Sequence, residues 1–212
     1  MSVFVKICGV AQAEDVAAVA ALAPDAMGFI LWERSPRGVT EDHVAAWTTD
    51  WPADGPLRVG VFVDDPVEQL VSRARLAGLD VIQLHRMPSG EEWKALRDAW
   101  EGGLWLAVNA ERVDRSAVEA LDPSPERIVL DSGTSDMPGG TGKTGSWSVA
   151  CAWREALSMP VMLAGGLSPE NVAEAIAAVR PAGVDTSSGV ERVPGEKDLD
   201  KVRRFIEESR NA

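Results

Sequence analysis

Eight times along this chain a short β-branched run gives way to a loop and then to an amphipathic stretch. The strand-like runs are 3–7, 26–31, 57–63, 81–84, 104–108, 127–130, 161–164 and 183–185. The helix-like stretches are 13–22, 41–48, 66–76, 90–100, 116–121, 148–157, 169–179 and 199–208. Strands separated by a helix of this length are parallel, because the crossover returns the chain to the same end of the sheet. Eight such units favour a closed (β/α)8 TIM barrel, and 212 residues stand near the small end of its range. A doubly wound open sheet is the rival. It usually carries a glycine-rich turn after its first strand, whereas here that strand runs into CGVAQAED. No linker or shift of composition divides the chain, so one barrel domain is expected over 1–212.

The barrel places chemistry in the loops after the strands. Cys8 and Gly9 follow the first strand, ERSPR the second, His85 and Arg86 the fourth, and Asp131 with Ser132 the sixth. AGGLSPENV follows the seventh and DTSSG the eighth. These last two loops have the glycines, hydroxyls and free N–H groups of a phosphate cradle, with Ser168 and Pro169 read as the cap of the next helix. A local cradle is needed, because the net charge of −12 repels anions at long range. The same field argues against nucleic acid and anionic membrane as partners. GGTGKT has the end of a nucleotide-binding P-loop, but position 137, where its first glycine belongs, is Met137.

Cys8 and Asp131 each admit a bland reading, a packed thiol and a loop-bracing acid. At the open ends of two barrel strands they can instead face one pocket, one removing a proton and the other delivering one. A thiolate base calls for a lowered pKa. Lys6 points away from the side of its immediate neighbours, so it is given no part. Two cysteines and two histidines, none clustered, suggest neither a disulfide framework nor a metal. The absence of a secretory signal and of a long apolar run makes the cytoplasm the expected compartment.

The motifs KICG (6–9), MGFI with SPR (27–30, 35–37), VGVF (59–62), QLH (83–85), LDS (130–132), GGTG (139–142), LAGGLSPENV (163–172), VDTSSGVE (184–191) and PGEKD (194–198) occur in order along the chain. As a set they resemble the phosphoribosylanthranilate isomerase family of tryptophan biosynthesis. The resemblance implies a (β/α)8 barrel and an Amadori rearrangement of a small phosphoribosyl substrate. It implies Cys8 as general base and Asp131 as general acid, with Arg37 pairing with the anthranilate carboxylate. Gly142, Gly165, Gly166, Asp185, Ser187, Ser188 and Gly189 would complete the substrate site. No cofactor or metal is implied, and the assembly expected is a monomer or homodimer. Arg86 stands where the family has glycine, strand 5 lacks an expected lysine, GSWSVA replaces the usual segment after GGTG, and DTSSG replaces DVSSG. The alternatives are a paralogue isomerising a related phosphoribosylamine and a catalytically silent barrel, which should have lost Cys8 or Asp131.

Overall fold

The computed structural model describes residues 3–131 and 144–212, with side chains from Trp147 onward in the second segment. Eight parallel strands close into a barrel in the order β1 to β8. They are β1 Phe4–Ile7, β2 Ala26–Ile30, β3 Leu57–Phe62, β4 Val81–Leu84, β5 Gly103–Asn109, β6 Arg127–Asp131, β7 Val161–Ala164 and β8 Gly183–Thr186. The helices are α1 Ala13–Ala21, α2 Glu41–Trp47, α3 Val67–Leu76, α4 Gly90–Ala99, α5 Arg115–Glu119, α6 Thr144–Ala156, α7 Val172–Val179 and α8 Leu199–Asn211. The expected alternation is met at every step.

Alternation along the strands divides two apolar populations. Outward residues such as Val5, Ile7, Phe29, Ile82 and Leu106 pack under the helices. Each helix answers with one stripe: in α8, Val202, Phe205, Ile206 and Ser209 are buried at i, i+3, i+4 and i+7. Inward residues fill the lumen, among them Ala26, Val59, Val81, Trp105, Ala107, Val129 and Met162. At its lower end Phe4 meets Trp105 edge-on with ring centroids 5.9 Å apart. The Arg127 guanidinium lies 4.2 Å above the Phe4 ring and 5.5 Å from that of Trp105. Burial pushes the Arg127 pKa down, and Asp25 and Glu126 oppose this.

Three features differ from the sequence reading. Ser168 and Pro169 do not cap a helix directly. Asn171 accepts from Ser168 N at 2.8 Å and donates to Gly166 O at 3.0 Å, so the chain turns once more and α7 begins at Val172. After β8 come a short 3₁₀ turn, Ser188–Val190, and a two-stranded ribbon of β9 Glu191–Val193 and β10 Glu196–Lys197, which the sequence reading passed over. The last helix runs to Asn211.

The lumen plug yields a stability prediction. Trp105→Ala removes a fully buried indole and one platform of Arg127, so it should cost roughly 3–5 kcal/mol. A urea midpoint within error of the unsubstituted protein would contradict this account of the barrel floor.

Candidate active site

Cys8 sits just beyond β1, where its backbone N–H donates to Thr186 O at 2.8 Å. The sulfur occupies a seat on β2 that exists because residue 28 has no side chain. A Cβ on Gly28 would lie 2.6 Å from Cys8 Sγ and 3.1 Å from its Cα. The next residue, Gly9, has φ of 69°, and a Cβ there would meet Arg37 Cδ and Ser187 Oγ, both at 2.7 Å. Gly9 therefore turns the chain in a left-handed conformation and lets the loops after β2 and β8 close against β1.

Lys6 corrects the sequence reading. It does oppose Val5 and Ile7, but Cys8 is two residues on, so Lys6 and Cys8 share the inward face. The Lys6 side chain is fully buried, and its Nζ lies 3.0 Å from both carboxylate oxygens of Asp185, its register partner on β8. The Cys8 side chain, on the same face, is close enough for its charge to act on the ammonium. Burial disfavours the ammonium, yet Asp185 and then Cys8 hold its pKa above the ordinary lysine value. Asp185, expected among the substrate contacts, has both oxygens engaged by this lysine. The thiol departs from expectation too. Burial pushes Cys8 up and Asp185 adds to this, while Lys6 and Lys197 pull it down, and the result lies above the usual thiol value.

Arg37 is half-buried beside this group. Its Nε and Nη2 donate to Glu191 Oε1 and Oε2, each at 2.7 Å. One edge of the guanidinium fork is thus taken by an internal carboxylate, and the Nη1 edge remains for a second acceptor. Glu191 also accepts from Lys197 Nζ at 3.0 Å, and its backbone carbonyl accepts from Lys201 Nζ at 3.0 Å. Burial pushes Glu191 up, but Arg37 first and Lys197 next draw it below the usual carboxylate value. Burial lowers Lys197, with Glu191 opposing. Sequence reasoning missed Glu191, Lys197 and Gly28 as site-builders, although all three stand in motifs it quoted. The three cations around Cys8 are each paired with a buried carboxylate, Lys6 with Asp185 and Arg37 and Lys197 with Glu191.

Across the mouth, Asp131 ends β6 in register with Asn109 and Ala164, partly exposed and on the same inward face as Val129. The loops after β7 and β8 are tied together by Thr186 Oγ1 donating to Leu167 O at 2.7 Å. Gly165 and Gly166 turn with φ of 90° and 67°, beside the 3₁₀ turn that carries Ser188 and Gly189. Ser187 Oγ is buried without a hydrogen-bond partner among the described residues. His85, just beyond β4, is exposed, and its charge acts on Asp185. Arg86 is not a free cation there: its Nε donates to Val63 O at 2.7 Å and its fork grips Glu92. Gly142 and Ser132 lie outside the described residues. Among those residues no group of three or more His, Cys, Asp or Glu could hold a metal ion, and no helix is long and apolar enough to cross a membrane.

The model of the N-(5′-phosphoribosyl)anthranilate (PRA) isomerase family matches residues 5–208. An N-(5′-phosphoribosyl)anthranilate isomerase from Rubrobacter xylanophilus is 40% identical over 205 residues, covering 95% of this chain and 96% of the relative. The crystal structure of phosphoribosyl anthranilate isomerase from Thermotoga maritima superposes with a TM-score of 0.86 at 33% identity, covering 99% of this chain and all (100%) of that one. A phosphoribosyl anthranilate isomerase in complex with reduced 1-(o-carboxyphenylamino)-1-deoxyribulose 5-phosphate superposes at 0.81 and 32% identity, with 99% and 100% covered.

The Glu191 network predicts a pH signature. A carboxylate whose folded pKa is depressed stabilises the fold above its unfolded pKa, and this contribution fades as pH falls through the folded value. Glu191→Gln leaves Arg37 and Lys197 facing a neutral amide, so neutral stability should drop by roughly 3–5 kcal/mol. The acid limb of the stability curve should flatten as well. An unchanged acid limb by urea titration at several pH values would rule the network out as a contributor.

Proposed function

The chain belongs to the N-(5′-phosphoribosyl)anthranilate isomerase family, and we propose that Cys8 and Asp131 are the base and acid of its reaction. It is an isomerase of tryptophan biosynthesis, converting N-(5′-phosphoribosyl)anthranilate to 1-(2-carboxyphenylamino)-1-deoxyribulose 5-phosphate. The observation that carries the residue roles is the placement of a thiol and a carboxylic acid on inward faces at the open ends of β1 and β6.

In this reading Asp131 gives a proton to the furanose ring oxygen. The C1′–O bond breaks, and the anthranilate nitrogen supplies the electron pair that makes the iminium. Cys8, as the thiolate, then takes the proton from C2′, and the C2′–H electrons neutralise the iminium to leave an enolamine. Its tautomerisation moves a proton from the C2′ hydroxyl to C1′ and gives the ketone, so the formula is unchanged. The Nη1 edge of Arg37 receives the anthranilate carboxylate while Glu191 holds the other edge. Gly165, Gly166, Ser187, Ser188 and Gly189, with Gly142, hold the phosphate largely through N–H groups. Asp185 enters through Lys6 rather than by touching the ligand. The site comes from one chain, which suits a monomer or a homodimer. A diffusible phosphorylated sugar suits the cytoplasm.

The direct test is turnover of phosphoribosylanthranilate by the purified chain. Cys8→Ser keeps the shape but loses the base, and kcat should fall by ~10²–10⁴-fold. Because burial holds the thiol up, kcat/KM of the unsubstituted enzyme should keep rising with pH past the ordinary thiol range. A kcat for the serine variant within a few-fold of normal would remove Cys8 from the mechanism.

Asp131→Asn should separate chemistry from binding. The reduced product analogue should still bind within about tenfold, roughly 1.4 kcal/mol, while kcat falls by orders of magnitude. Arg37→Ala should weaken that analogue more than ribose 5-phosphate, which has no carboxylate. Equal weakening of both ligands would refute the carboxylate contact.

A further inference from the structure

The mechanism above uses the thiol but leaves unexplained a fully buried lysine beneath it. Lys6 lies on the lumen face of β1, two residues before Cys8, and no solvent reaches its side chain. Burying an ammonium without a partner is strongly unfavourable, and Asp185 alone would satisfy the need for a partner. The lysine nevertheless shares its inward face with Cys8, whose sulfur Gly28 seats at the top of the lumen, and the two side chains interact electrostatically.

We propose that Lys6 is a positioning residue for the reaction: its ammonium, anchored on Asp185, is the counter-charge of the Cys8 thiolate. This rests on Cys8 being the base. When the thiol is neutral, Lys6 belongs to Asp185. When Cys8 loses its proton to water at the barrel mouth it becomes the base, and the ammonium then stands between two anions instead of one. Taking the C2′ proton restores the thiol and returns the lysine to Asp185. Lys6 moves no proton itself and needs no contact with substrate. Asp185 plays an opposing part, fixing the lysine but repelling the thiolate.

The charged groups around Cys8 agree with this division. Lys6 on its own strand and Lys197 on β10 favour the thiolate, and Asp185 on β8 disfavours it. Arg37, after β2, also feels the Cys8 charge. His85, after β4, acts on Asp185. Of the cations, Lys6 acts most strongly on the thiol.

The test is a titration of the thiolate by its ultraviolet absorbance, reading the full-length protein against Cys8→Ser to subtract Cys151. The chain contains no tyrosine (Tyr 0), so no phenolate overlaps the signal. Lys6→Met should raise the Cys8 midpoint by about one pH unit or more, a tenfold loss of thiolate at fixed pH. Asp185→Asn, which keeps an oxygen for Lys6, should lower the midpoint. The pH–rate profiles should move in the same two directions. A role in packing alone predicts either no movement or movement in one direction for both variants, and either result overturns the proposal. If Lys6→Met does not fold, Lys6→Met/Asp185→Asn replaces it, and its midpoint must lie above that of Asp185→Asn. Opposite shifts together with full turnover by Cys8→Ser would sink the base assignment while leaving the counter-charge assignment standing.

Discussion

The Lys6–Asp185 ion pair stands at the seam where β1 meets β8 and the barrel closes. Two charges taken out of water must satisfy each other or the barrel interior is strongly destabilised. The pair therefore fixes the register of the closing strands, and with it the height of Cys8 above the lumen. Everything at the mouth inherits that height. Thr186 receives the Cys8 N–H, Gly28 receives the sulfur, and Gly9 admits Arg37 and Ser187.

A second layer of charge repeats this logic nearer to solvent. Glu191 holds Arg37 by one edge of its fork and is itself held by Lys197. An arginine held on one side loses rotamer freedom before any ligand arrives, so a carboxylate bound on its other side finds the fork already aimed. The ribbon that carries Glu191 and Lys197 thus fixes the direction of the Arg37 fork. Arg86 illustrates the opposite outcome. A cation at the rim is consumed by Glu92 and the Val63 carbonyl, so the departure from the family's glycine braces two loops and adds no free charge.

The barrel was legible because its evidence is periodic. Eight β-to-α alternations need no long-range information, and the strand ends located Cys8, Arg37 and Asp131 at the mouth. What stayed hidden depended on contacts across the chain. The inward direction of Lys6 was available from its two-residue spacing to Cys8, but its partner is 179 positions away. Ser168–Pro169 has the look of a helix start, yet the Asn171 side chain supports one more turn before α7. The β9–β10 ribbon is too short to leave a pattern, so nothing singled out Glu191 and Lys197 within their motifs. Gly28 looked like a strand glycine, and only the position of the sulfur above it explains why no larger residue fits.

The seam also orders events during synthesis. The strand carrying the thiol is made before the other seven, and the strand carrying the carboxylate that neutralises its lysine is the last of the eight. Until β8 leaves the ribosome, a partly assembled sheet would hold Lys6 facing an apolar lumen with no counter-ion, so premature closure is penalised. Lys6 gains its counter-ion only when β8 docks beside β1, so the step that closes the barrel is also the step that neutralises its buried charge.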